Sequence, residues 1–237
     1  MNRNKTAYGL TRSQERAASR FFGKHVTPEK AIVTLVFSLL VSAAPMLLGL
    51  RLWNEIPSVV ETGLIGPGGE DDSLPRAVLV FGIPGLMCVL NLICHVQLWL
   101  HQKAQRVPPA SVRFLGRWSL PVISVLLSSF WILRAAGEST DPVFFLPCML
   151  GLLLILSGSH FFDCPPGSRA AFRLASIRYR EEAWRKTHRA AGVCWMLAGL
   201  IVLLGRFLCT SFPWYSGVAV LALLLSEFPA AAYFSRT

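Results

Sequence analysis

The feature that most constrains this chain is a series of long apolar blocks separated by short polar segments. The blocks run near residues 31–50, 77–100, 118–136, 142–162, 190–209 and 214–234. About 20 apolar residues in helical conformation cross the ~30 Å of a bilayer's hydrocarbon core. A helix also satisfies its own backbone polar groups there, which an irregular segment cannot do. A chain that is 53% hydrophobic with a mean hydropathy of +0.50 is too apolar for an ordinary soluble domain. The blocks therefore predict an all-α, polytopic membrane helix bundle with about six transmembrane helices. Residues 1–30 read as a basic N-terminal tail and 31–237 as one six-span membrane domain, with no second soluble domain and no legible internal repeat. The tail is long for the charged region of a signal peptide, and Pro45 directly after Ala43-Ala44 is a poor cleavage context. The first block is thus expected to be an uncleaved span.

Charge orients the blocks. The formal net charge is +10, from 23 Lys and Arg against 13 Asp and Glu. In a soluble protein this excess would suggest nucleic acid. Here the basic residues flank apolar blocks, so the expected partner is a lipid bilayer with anionic headgroups, with no direct contact to nucleic acid. The tail, the 101–117 loop and the 163–189 loop are rich in Lys and Arg. The 51–76 segment instead holds Glu55, Glu61, Glu70, Asp71 and Asp72 around Gly66-Pro67-Gly68-Gly69, and reads as an acidic, turn-rich loop without a regular period. The bias of Lys and Arg toward cytoplasmic loops then places the N- and C-termini in the cytoplasm. Within the spans, Pro84-Gly85 is expected to bend the second helix. Trp53, Trp99, Trp118 and Trp214 sit at span ends and fit an aromatic belt. The six cysteines form no C-x-x-C pair and read as small buried apolar residues.

The densest cluster of charge in the second half is Ile177 to Gly192, I-R-Y-R-E-E-A-W-R-K-T-H-R-A-A-G. Glu181 precedes Arg185 by four residues and Glu182 precedes Lys186 by four, the acid-first order that supports a helix. Trp184 and His188 share a face one turn apart. No Gly or Pro interrupts 168–191, so the spacing predicts a basic interfacial helix, on the cytoplasmic side, that continues into the fifth span. A basic run beside an apolar block is also what an ordinary charged flank looks like.

The residues of this stretch carry a resemblance. Ile177, Arg178, Glu181, Glu182, Trp184, Thr187, His188, Arg189 and Gly192 match the conserved region of the SdpI-like toxin-immunity family of bacterial membrane proteins, where a segment like I-R-T-P-W-T-L leads into E-E-x-W-x-x-T-H-R and a glycine. The chain departs from that pattern twice. Only Tyr179 and Arg180 lie between Arg178 and Glu181, and Ser157-Gly158-Ser159-His160 stands where the family has G-N. Leu52 to Pro57, L-W-N-E-I-P, is faintly similar to the L-P-x-x-I-P that follows the family's first span. The resemblance implies a bacterial cell membrane protein that gives immunity by binding a secreted, membrane-active peptide or protein toxin outside, and that signals to a cytoplasmic regulator. It makes the nine matching residues the binding candidates.

Polar residues inside apolar blocks are the other candidates, because an ionisable group there is expensive. They are Asn91, His95, His160 and Glu227, together with Arg206 near a span end. In a six-span arrangement His95, His160, His188 and Glu227 fall at a similar inner level. They could form a zinc site or a proton-responsive cluster, or be unrelated groups reaching headgroups or Arg189 and Arg236. No H-E-x-x-H or H-x-x-x-H supports a metal. No G-x-S-x-G elbow, phosphate-binding glycine loop or dinucleotide fingerprint is present. The chain therefore reads as non-enzymatic, without catalytic residues, cofactor or metal. A small proton-coupled transporter or exporter, with Glu227 as proton carrier, is the alternative, and a membrane metalloenzyme a more distant one.

Overall fold

The computed structural model describes residues 28–65, 71–103, 110–138, 142–162, 164, 180–209, 217, 220, 221, 223 and 225–235. The tail expected over 1–30 lies outside these residues except for its last three. The bundle opens with α1 (Pro28–Ala43) and α2 (Pro45–Arg51), which together make one apolar stretch, Pro28–Arg51. The break at Ala44 follows from Pro45, which has no N–H for the Val41 carbonyl. The Ala44 N–H takes that carbonyl instead, at 3.3 Å.

The segment that follows is not the irregular loop its composition suggests. Strand β1 (Val59–Ile65) pairs antiparallel with β2 (Asp71–Pro75), Val59 opposite Pro75 and Glu61 opposite Ser73. Val59, Val60 and Ile65 are β-branched residues, which favour extended backbone, and Glu61 between them, with Asp71 and Asp72 in the partner strand, masks this signal in the sequence. Arg76 fastens the hairpin to the bundle. Its guanidinium donates to the Trp53 carbonyl at 3.1 Å and lies 4.4 Å from the centre of the Trp53 ring.

The second apolar stretch, Val78–His101, starts with a π-helical turn, Val78–Gly82, and continues in α3 (Ile83–Lys103). The expected disturbance at Pro84 thus takes the form of a π turn just ahead of the proline, one of the ways a helix absorbs a missing donor. The third stretch also combines a proline and a π turn, here with the π turn after the proline. Helix α4 (Ala110–Ile123) contains Pro121, a π turn covers Ser124–Ser128, and α5 (Ser129–Ala135) completes the crossing. Gly137, with φ of 72°, closes α5. Its N–H reaches the Arg134 carbonyl and that of Glu138 reaches the Leu133 carbonyl, the paired bonds of a Schellman ending.

Helix α6 (Pro142–Phe161) and helix α7 (Glu181–Leu208) pack backbone against backbone. Gly151 and Gly158 on α6 face Gly199 and Gly192 on α7, antiparallel. A Cβ on Gly158 would stand 2.6 Å from the Gly192 carbonyl, and one on Gly192 2.7 Å from the Gly158 carbonyl. Only hydrogen at these positions lets the two backbones approach so closely. The helix expected through the Ile177–Gly192 stretch is interrupted at Arg180, which is extended with φ −111° and ψ 101°, and α7 starts at Glu181; residues 165–179 lie outside the described residues. Glu181 and Glu182 in the first turn complement the helix dipole there. From that point the basic segment and the fifth span are one continuous helix.

Five helical stretches among the described residues are long and apolar enough to cross a membrane: Pro28–Arg51, Val78–His101, Val112–Ala135, Phe144–Phe161 and Glu181–Leu208. The sixth apolar block is described only in part and includes α8 (Glu227–Phe234). Val41, Leu48, Val80, Val125, Ile132, Ile155, Met196, Leu203 and Phe207 fill the core. Ile32, Leu86, Val89, Ile93, Leu146 and Leu153 point outward and are exposed. So large an apolar surface is stable only against hydrocarbon. The protein is a multi-pass, all-α membrane bundle.

Candidate functional site

The start of α7 has two unlike faces. Glu181, Glu182, Arg185 and Lys186 are exposed, and Glu182 pairs with Lys186 at 2.9 Å. Ala183, Trp184, Thr187, His188, Ala191 and Gly192 lie on the other face and are buried. This is the three-and-four-residue spacing of a helix packed on one side. Trp184 is 3% exposed and His188 1%, so these two are not a solvated flank of the span.

The buried face joins several elements. The Trp184 indole N–H donates to the Cys164 carbonyl at 3.0 Å, tying α7 to the chain that leaves α6. The indole stacks on the His188 ring, 4.1 Å between centres and 22° between planes. His188 Nδ1 is 2.9 Å from the Trp184 carbonyl. A carbonyl only accepts, so this bond puts the proton on Nδ1. Thr187 Oγ1 is buried with no hydrogen-bond partner among the described residues. Arg189 pairs with Glu29 at the start of α1 and reaches over the Phe162 ring, 5.8 Å from its centre. Ala231 of α8 packs on Ala183 and Trp184, and Arg180 donates to the Ser235 carbonyl. One turn further along, Gly192 lies against Gly158 and Phe162. The motif thus forms a joint where α1, α6, α7 and α8 meet.

A second polar set lies between α1, α3 and α4. Asn91 Nδ2 donates to Ser38 Oγ at 2.8 Å, and His95 Nε2 is 3.2 Å from the same oxygen. Ser38 Oγ also lies 2.9 Å from the Leu35 carbonyl. Pro121 has no N–H to offer the Arg117 carbonyl, and His95 hydrogen-bonds the backbone of Arg117. The proline inside α4 therefore leaves a backbone carbonyl open where α3 attaches. Nearby, Ser124 donates to the Ser42 carbonyl at 2.7 Å, and the Trp118 indole to Ser159 at 3.2 Å.

The remaining candidates fall as follows. Ile177 and Arg178 lie outside the described residues. Glu227 opens α8, and its side chain also lies outside them. His160 is half-buried at the end of α6. The expected meeting of His95, His188 and Glu227 involves a side chain outside the described residues; within them, His95 bonds Ser38 beside Asn91, and His188 bonds the Trp184 carbonyl. Among the described residues no three His, Cys, Asp or Glu side chains converge as a metal ion would need. Arg206 lies near the far end of α7 with its guanidinium 4.4 Å from the centre of the Phe144 ring. All six cysteines are free thiols, with Cys148 and Cys164 buried. Ser38, Ser42, Ser124 and Arg117 were not candidates by sequence. The signal for two of them is the four-residue spacing Thr34, Ser38, Ser42, a polar stripe along one face of an apolar helix.

At the opposite end of the bundle, Pro57, Val59, Val60, Glu61, Trp131, Arg134 and Ala135 line a cleft of about 390 Å³. It lies between the hairpin and the end of the third stretch, and Arg134 stands 5.7 Å over the Trp131 ring. The model of the SdpI/YfhL protein family matches residues 164–231, the region of α7, its buried joint and most of α8. No curated protein and no solved structure matches the chain.

Proposed function

We propose that the chain, matched over residues 164–231 by the SdpI/YfhL family model, protects a bacterial cell from a secreted, membrane-active toxin. The toxin binds at the hairpin end, and the joint at the start of α7 relays occupancy to a cytoplasmic regulator. The observation that carries this reading is the burial of the motif: Trp184, Thr187 and His188 are each 3% exposed or less, at a meeting point of four helices. Side chains that only mark a membrane boundary have no reason to be packed in this way. A change in how α7 sits on α6 and α8 would move Arg185 and Lys186, which are exposed on the same helix. The cleft between the hairpin and Trp131 supplies an aromatic surface, a carboxylate in Glu61 and a cation in Arg134, and the acidic hairpin attracts a cationic peptide.

The test is expression of the chain in a sensitive bacterial strain, challenged with culture supernatant of the organism that carries it. Growth of expressing cells where control cells lyse supports the reading. Equal killing, with the protein present in the membrane at normal level, overturns it.

A further inference from the structure

We propose that the free edge of β1 takes up an extended, cationic peptide segment as a third strand, laid in the cleft between the hairpin and α5. The proposal rests on the toxin reading for the source of that peptide; the edge itself follows from the hairpin. The Arg76 N–H donates to the Ser58 carbonyl at 3.0 Å, and Val59 lies opposite Pro75 and Val60 opposite Leu74. Backbone groups alternate in direction along a strand, so Ser58 and Val60 turn theirs to β2, and Val59 and Glu61 turn theirs away from it. Pro75 fits the same phase, because the N–H it lacks would also have faced away from the ladder. The cleft runs along this edge. Val59 and Glu61 are exposed and Val60 is buried, so side chains from both faces of β1 line it. A hollow on one face of the strand would meet only alternate residues. No described residue of β2 lines the cleft, and its opposite wall is Trp131, Arg134 and Ala135.

Pairing and charge select the occupant. An open strand edge presents N–H and C=O groups at the repeat that a second extended chain matches. Residues directly opposite each other on paired strands share a face. The peptide residue opposite Glu61 therefore stands beside an exposed carboxylate and is favoured as Lys or Arg. Its neighbours turn inward with Val60, toward Trp131 and Ala135, and are favoured as apolar. Among the described residues Glu61 and Arg134 form no ion pair with each other, although both line the cleft. A strand between them meets the Glu61 carboxylate on one side. On the other, the exposed Arg134 guanidinium can donate to the carbonyls of the peptide's far edge. Asp71 and Asp72 in β2 add to the negative field that draws in a cation. The segment is thus extended, with basic and apolar residues in alternation.

The test is binding of a labelled synthetic peptide of alternating Lys and Val to the full chain in phosphatidylcholine nanodiscs, read by fluorescence anisotropy. Methylating the amide nitrogens of the Lys residues blocks one edge of the extended peptide, and methylating those of the Val residues blocks the other. One methylated form should bind like the parent and the other roughly tenfold more weakly, the loss expected when edge hydrogen bonds go. Val59→Pro removes an outward N–H and spares the ladder, and should weaken binding of the parent peptide to a similar degree. Glu61→Gln should weaken it as well. Glu138→Gln, which removes an exposed acid that does not line the cleft, should leave it unchanged. If Val59→Pro does not fold, the two methylated peptides on the wild type decide. Equal affinity of the two methylated forms, unchanged affinity in Val59→Pro, an equal loss in Glu138→Gln, or assembly of the chain into dimers that take up no peptide would each overturn the proposal. The challenge of living cells separates the two readings. Equal killing of cells carrying the wild type removes the toxin and leaves the edge to the peptide measurements. Full protection by Val59→Pro at normal membrane level removes the edge and leaves the toxin.

Discussion

Asn91 and Trp184 illustrate what a polar atom does inside an apolar bundle: each finds its acceptor on a different segment, and the bond fixes how two segments sit. Asn91 bonds Ser38, fifty-three residues away in the chain, and Trp184 bonds the Cys164 carbonyl. The spacing of Trp184, His188 and Gly192 was legible from the sequence, because one-turn intervals define a stripe without any knowledge of the fold. The partners were not, since nothing local distinguishes the Cys164 carbonyl from its neighbours. Asn91 was legible as a polar residue inside an apolar block, but Ser38 could be chosen as its partner only once α1 and α3 were placed side by side. Replacing Asn91 by Ala should destabilise the bundle by about 0.6 kcal/mol, and by no more than about 1.7 kcal/mol, the range found for such bonds in membranes. Reversible unfolding in mixed detergent micelles measures this. An unchanged unfolding midpoint would mean that the bond contributes nothing.

At the scale of elements, the helices were legible and their pairing was not. Long apolar blocks announce spans whatever the fold, and the blocks near 31–50, 77–100 and 142–162 match helical stretches within a few residues. The hairpin escaped because Glu61, Asp71 and Asp72 and the Gly66-Pro67-Gly68-Gly69 run outweigh the few β-branched residues of its first strand, a mixture that reads as loop. The start of α7 was placed too early, because the absence of Gly and Pro says only that a helix is permitted. The pairing of α6 with α7 rests on glycines seven residues apart on both helices, a signal visible only when both are considered together. Gly158→Ala should cost about 1–3 kcal/mol, since its Cβ would enter the Gly192 carbonyl and force two backbones apart. Gly85→Ala is the contrasting case. Its Cβ would meet only the Met46 methyl at 3.8 Å, and alanine favours helix, so stability should hold or rise by up to roughly 1 kcal/mol. Thermal unfolding of the two variants side by side separates packing from propensity, and an equal effect at both glycines would refute the close approach of α6 and α7.

For the whole molecule, loop charge and family motif make separate statements. The charge bias predicts an orientation with the hairpin outside and the basic joint inside. Reporter fusions at Gly68 and Glu138 should read as external, and fusions at Arg106, Ser168 and Thr237 as cytoplasmic; a cytoplasmic signal at Gly68 would invert the arrangement. The proposed function makes the stronger claim, that the joint at the start of α7 serves function as well as anchoring. The most direct measurement is survival under toxin challenge of cells carrying Trp184→Ala and His188→Ala together, with membrane levels checked by blot. The account predicts that this double variant inserts at normal level and loses protection. Full protection by the double variant would contradict it and leave the stretch a packed, positively charged flank of the fifth span.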